Sequence, residues 1–117
     1  MDVQSAFDFD AAAARRDAGM ASALDHAEAD VPGWGDRCLD LMRAFAAQER
    51  QPWTCEEFRA YAYAHDLPPP DEQRAFGPVT QRAIRAGLIR RVGYAPAASS
   101  NGSPKPVYVG TQEARQS

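Results

Sequence analysis

Arg85-Ala86-Gly87-Leu88-Ile89-Arg90-Arg91 is the stretch on which the reading of the fold turns. A glycine directly after a run of helix formers is the usual helix stop, because it takes the left-handed conformation without steric cost. The two apolar residues that follow plug a core as the chain changes to extended structure. Upstream, a helical stretch is expected over Asp71–Ala86, with Asp71 as its cap. At ~100° per residue, Phe76, Val79, Thr80, Ala83 and Gly87 gather on one side. Arg74, Pro78, Gln81 and Arg85 lie opposite, with Arg82 on the flank. Gly77-Pro78 interrupts the pattern, so the helix either starts at Pro78 or kinks there. Downstream, Leu88–Tyr94 reads as a strand and Val107–Val109 as its partner. The residues between, Ala95–Pro106, are small, polar or Gly/Pro, which makes the pair a long-looped hairpin.

Upstream of the helix expected over Asp71–Ala86, Thr54-Cys55-Glu56-Glu57 predicts a capping box at the start of another. That helix carries Phe58, Tyr61, Ala62 and His65 on one face and is stopped by Leu67-Pro68-Pro69-Pro70. Trp53-Thr54 reads as a very short strand. A preceding helix is expected over Asp36–Gln48, with Cys38, Leu41, Met42 and Phe45 as its apolar stripe. Val31-Pro32-Gly33 breaks it from an Ala-rich helix over Asp8–Asp30, capped by Asp8 or Asp10. There Met20 and Leu24 are the only large anchors and Gly19 is a weak spot. The expected fold is mainly α with a small β-hairpin: a winged helix-turn-helix with an added N-terminal helix. Residues 1–30 form the helical extension, 31–110 the winged-helix domain and 111–117 a flexible tail. The expected core holds Leu41, Phe45, Phe58, Tyr61, Val79, Ala83, Leu88 and Ile89.

The net charge of the 117-residue chain is −3, but its distribution is lopsided. Residues 1–72 hold six Arg against fifteen Asp and Glu, a net of −9. Residues 73–117 hold six Arg and one Lys against one Glu, a net of +6. Such asymmetry favours a directional surface over a uniformly solvated one.

Several function classes are disfavoured. The two cysteines, Cys38 and Cys55, and the two histidines, His26 and His65, do not cluster at metal-ligand spacing, so neither metal nor cofactor is expected. No Gly-rich phosphate loop, nucleophile elbow or H-E-x-x-H is present, and the carboxylates are scattered, so no catalytic residue is assigned and no enzyme is expected. No apolar run is long enough for a transmembrane helix. Met1-Asp2-Val3-Gln4-Ser5 lacks the basic start of a secretory signal, which makes a cytoplasmic location the expectation.

The chain also resembles a group of small proteins encoded by tailed bacteriophages and prophages. The likeness covers most of the chain and rests on Arg16-Asp17-Ala18-Gly19-Met20, Pro32-Gly33-Trp34 and Trp53-Thr54-Cys55-Glu56-Glu57-Phe58. It is strongest over Arg74-Ala75-Phe76-Gly77 and Gly87-Leu88-Ile89-Arg90-Arg91-Val92-Gly93-Tyr94-Ala95-Pro96. Many relatives carry Trp where this chain has Phe76, and another Trp near Tyr108. The resemblance implies the winged-helix fold and a place in a bacterial host cell, and carries over no catalytic residue.

Two functions fit these observations. In the first, the protein binds DNA through the helix 71–86 and the wing 95–106. Arg74, Gln81, Arg82, Arg85, Arg90, Arg91 and Lys105 are then the contacts, since the guanidinium fork and the amide suit base edges and phosphate. Ser99, Ser100 and Asn101 would add phosphate or minor-groove contacts. Glu56 and Glu57, and the acidic balance of the whole chain, oppose it. In the second, the same fold is a protein–protein module, an adaptor or inhibitor of a host replication or defence protein. The Ala-rich first helix suits close helix packing, in a homodimer or against a host or phage protein.

Overall fold

The computed structural model describes residues 3–96 and 104–116. It is mainly helical, with one small antiparallel sheet. The helices are α1 (Val3–Asp30), α2 (Trp34–Gln48), α3 (Cys55–Ala64), α4 (Phe76–Arg85) and α5 (Gln112–Gln116), with a 3-10 turn over Gln73–Ala75. Strands β1 (Ile89–Pro96) and β2 (Pro104–Gly110) form the hairpin.

At 1.5 Å per residue α1 is about 42 Å long, close to the 46 Å long dimension of the molecule. It begins at Val3, ahead of the expected Asp8 or Asp10 cap. Its second half leans on the rest of the chain, with Ala23 and Ala27 buried. It packs on α2, the 3-10 turn and α4, the support that a helix with so few large anchors needs. Small residues permit this close approach. A side chain at Gly77 of α4 would collide with Met20, and one at Gly19 with the guanidinium of Arg74. Gly19 thus marks where Arg74 crosses α1.

The break after α1 is closed by a side chain from α1 itself. Glu28 accepts hydrogen bonds from the Gly33 N–H at 2.9 Å and the Gly35 N–H at 2.7 Å. These are amides that the start of α2 leaves unpaired, and Gly33, at φ 83°, has no side chain to serve them. Along α2 the buried residues are Trp34, Gly35, Cys38, Leu39, Met42, Phe45 and Ala46. Leu39 replaces the expected Leu41, which is only partly buried. Trp34 Nε1 donates to the Pro68 carbonyl at 2.8 Å, tying α2 to the proline run.

The capping box forms at α3: the Thr54 N–H donates to Glu57 Oε1 at 3.4 Å. Phe58 and Ala62 are fully buried, whereas His65 is exposed. The expected helix over 71–86 is shorter. Asp71 caps nothing, and the 3-10 turn runs into α4 at Phe76. Pro78 then falls in the first turn, where its missing N–H is one of the unpaired donors anyway. The α4 stripe is as expected, with Phe76, Val79, Thr80 and Ala83 buried. Gly87 ends the helix at φ 76°.

Leu88 and Ile89 are buried, so the decisive stretch plugs the core as expected. Both strands extend beyond the expected limits, to Pro96 and from Pro104. The loop residues 97–103, including Ser99, Ser100 and Asn101, lie outside the described residues. Trp53 pairs with Tyr108 through two backbone bonds, 2.9 and 2.8 Å, so the very short strand lies against β2. Two aromatic groups fill the centre. Phe45 meets Trp53, Phe58 and Tyr61 at 5.0–5.9 Å, and Phe76 meets Trp34, Phe58 and Tyr63 at 5.2–6.2 Å. Phe58 joins the two.

The tail departs from expectation. Residues 112–116 form α5, which packs on α2 with Ala114 buried. Thr111 anchors it: its N–H donates to the Leu88 carbonyl at 3.0 Å, and its Oγ1 accepts from the Ala114 N–H at 3.4 Å.

Candidate functional site

The basic half of the chain is presented on two surfaces, because α4 has two free sides. Its outer side carries Gln81, Arg82 and Arg85, all exposed. Arg82 Nη1 pairs with Asp36 Oδ1 of α2 at 2.8 Å, with both side chains more than half exposed. Such a surface pair is worth ~0–1 kcal/mol, so phosphate can displace it. Arg85 has no ion pair among the described residues.

The other side of α4 borders a groove of about 680 Å³, walled by α1 and by the hairpin. Five cationic side chains line it: Arg16 of α1, Arg59 of α3, Arg74 of the 3-10 turn, Arg91 of β1 and Lys105 of β2. Asp17 is the acid among the lining residues, and Gln73 and Gln81 add amides. Glu56 stands with Lys105 and Arg59 around a smaller recess of about 110 Å³ at the α3 end. Arg74 is held by Glu72. Arg59 lies over the Phe76 ring, 5.9 Å from its centre.

On the groove floor the Cys55 thiol sits 3.7 Å from Thr80 Oγ1. Burial pushes its pKa up, while the Thr80 contact and the charges of Arg59 and Lys105 pull the other way. Tyr108 is likewise raised, chiefly by burial, with Arg91 opposing. Cys38 is fully buried in the core, and its thiol is pushed up to about 12 by burial first and by Cys55 second. Among the described residues no group of three or more His, Cys, Asp or Glu could hold a metal ion. No helix among them is long and apolar enough to cross a membrane.

The expected set therefore divides. Gln81, Arg82 and Arg85 share the outer side of α4; Arg74, Arg91 and Lys105 join the groove, which Gln81 also borders. Arg90 lines neither: it is exposed on β1 opposite Val109, one residue from Arg91 and so on the other face of the strand. Arg16 and Arg59 escaped sequence reading. Arg59 stands four residues after Cys55, so helical spacing places them on one face, whereas nothing local marks Arg16 apart from any solvated helix position. No family model, curated protein or solved structure matches the chain.

Proposed function

We propose that the protein is a non-catalytic winged-helix protein that binds DNA through α4 and the hairpin. The order α2, Trp53, α3, α4, β1, β2, with Trp53 paired to β2, supports the winged arrangement. In it α4 is the helix offered to the major groove and the hairpin lies beside it. The observation that carries the reading is the free outer side of α4. Gln81, Arg82 and Arg85 are all exposed there although α1 packs against the same helix. Had α1 covered that side, docking on a duplex would be impossible. The phage resemblance and a cytoplasmic place in a bacterial host agree with this role.

The test is fluorescence anisotropy of a labelled duplex at low and moderate salt. Wild-type protein should bind with a salt dependence set by the number of phosphates it neutralises. Arg82→Ala with Arg85→Ala should weaken binding and lower the log–log slope by about 0.9 for each phosphate no longer neutralised. Absence of any shift at low salt overturns the reading.

A second reading has its own support. Ile84, 37 % exposed, offers apolar surface in the groove that Arg74 also lines, and Arg74 is already matched by Glu72. In that case the basic surface docks a host or phage protein.

A further inference from the structure

We propose that the groove between α1 and the hairpin is a site for single-stranded nucleic acid, with Arg91 and Tyr94 as its stacking platform. The inference shares with the preceding proposal the class of ligand and the hairpin, but it uses the other side of α4 and adds α1 and α3.

The hairpin supplies the first observation. Arg91 and Tyr94 are three residues apart, a spacing that puts side chains on opposite faces of a regular strand. In β1 they share a face. Arg91 is opposite Tyr108 and Tyr94 is opposite Pro106, and those two partners are two residues apart on β2. The register shift between Arg91 and Gly93 makes the difference, because the extra residue, Val92, resets the alternation. The result is a preformed pair. Arg91 Nη1 donates to Tyr94 Oη at 2.8 Å, and the guanidinium lies 5.9 Å from the ring centre. Tyr94 is 63 % exposed, more than the other exposed large apolar side chains, Ile84 and Val92. Arg91, Pro106 and Tyr108 all line the groove, which sets the exposed ring at its edge.

Charge is the second observation. Arg16, Arg59, Arg74, Arg91 and Lys105 converge from five separate elements on one groove, against Asp17 among its lining residues. A cationic track with an aromatic face at its side is what non-specific strand binding needs: cations follow the phosphates and the ring takes a base. Shape decides between strand and duplex. A duplex is a thick convex rod that receives a protruding helix in its major groove, whereas this groove is concave and walled on both sides. A strand of a couple of nucleotides fits its volume; a duplex does not. An acidic peptide would match the cations equally well but gains nothing from the Tyr94–Arg91 platform, so the strand is favoured.

The test is anisotropy with labelled oligothymidylate of about twelve nucleotides, run beside a duplex of equal length, using the full chain. Oligothymidylate should bind; Tyr94→Ala should weaken it about tenfold or more, and Tyr94→Phe should restore it. Arg16→Ala, on an exposed helix position, should weaken it and flatten its salt dependence. Arg16→Ala should leave duplex affinity within twofold, and Arg85→Ala, outside the groove lining, should weaken the duplex while leaving oligothymidylate affinity within twofold. If duplex binding is absent but oligothymidylate binding and its Tyr94 dependence remain, the α4 reading falls and this one stands. No binding of oligothymidylate, no effect of Tyr94→Ala, or equal displacement by polyglutamate overturns it; the last result makes the groove a peptide-docking site.

Discussion

Gly110 is where the hairpin comes closest to the helical layer, and replacing it with alanine perturbs that junction alone. The residue is buried at the end of β2. A Cβ there would collide with the carbonyl oxygen of Ala46 on α2 and lie 2.7 Å from its carbonyl carbon and 3.1 Å from its Cα. Ordinary contact begins at about 3.4 Å, and the obstacle is helix backbone in the last turn of α2, which no rotamer change removes. Strand and helix must separate, loosening Phe45 and Trp53 around the 5.1 Å ring contact behind them. Overpacking of this kind costs typically 1–3 kcal/mol and sometimes more, and the rigid neighbour places Gly110→Ala at ~3 kcal/mol. At ~4 °C per kcal/mol for a chain of this size, Tm should fall by ~12 °C. Gly93→Ala is the matched control. It lies in the same hairpin, with nothing within 4 Å of the added Cβ and no left-handed φ, so it should be neutral or stabilise by up to ~1 kcal/mol. Thermal unfolding of the two variants by circular dichroism decides the matter. Equal Tm values would refute the close approach of β2 to α2.

Three further outcomes are expected. The Cys38 thiol, pushed up to about 12 by burial, stays protonated in the folded chain at a pH where the unfolded chain ionises, near 9.0. Its contribution is therefore complete below about pH 9 and lost as pH rises toward 12, and Tyr63 and Tyr108, raised chiefly by burial, act in the same direction. Tm measured from pH 8 to 11 should fall on the alkaline side, and a flat profile would contradict the burial. Asp36→Ala should change stability by less than ~0.5 kcal/mol, because its pair with Arg82 is exposed, yet tighten duplex binding by freeing Arg82; unchanged affinity would show that Arg82 does not touch the duplex. Thr54→Ala removes the capping box and should cost ~1 kcal/mol by chemical denaturation, with a cost near zero showing the cap to be idle.

How much of this is legible in the sequence depends on how local each signal is. The α4 stripe and the Gly87 stop are readable because helical period and a left-handed glycine act within a few residues. The start of α4 is not, since Pro78 is equally at home one or two positions into the first turn. Leu39 takes the place of Leu41 because α1 and α5 both pack on α2 and widen its buried face, a tertiary effect outside any one helix. The tail reads as frayed because four of its five residues are polar and only Ala114 is buried, and it is Thr111, bonded back to Leu88, that holds them. The outer side of α4 follows from the same period as its core side. The groove does not: Arg16 and Arg59 come from helices far apart in the chain, and the register shift that turns Tyr94 beside Arg91 leaves no mark in residue type.

Backbone amide NMR during titration with an unlabelled duplex asks whether α4 and the hairpin form the contact surface for DNA. The largest shifts should fall at Gln81–Arg85 and along β1 and β2, fading as salt is raised. Shifts confined to α1 or to the outer face of α2, or none at any salt, would contradict it.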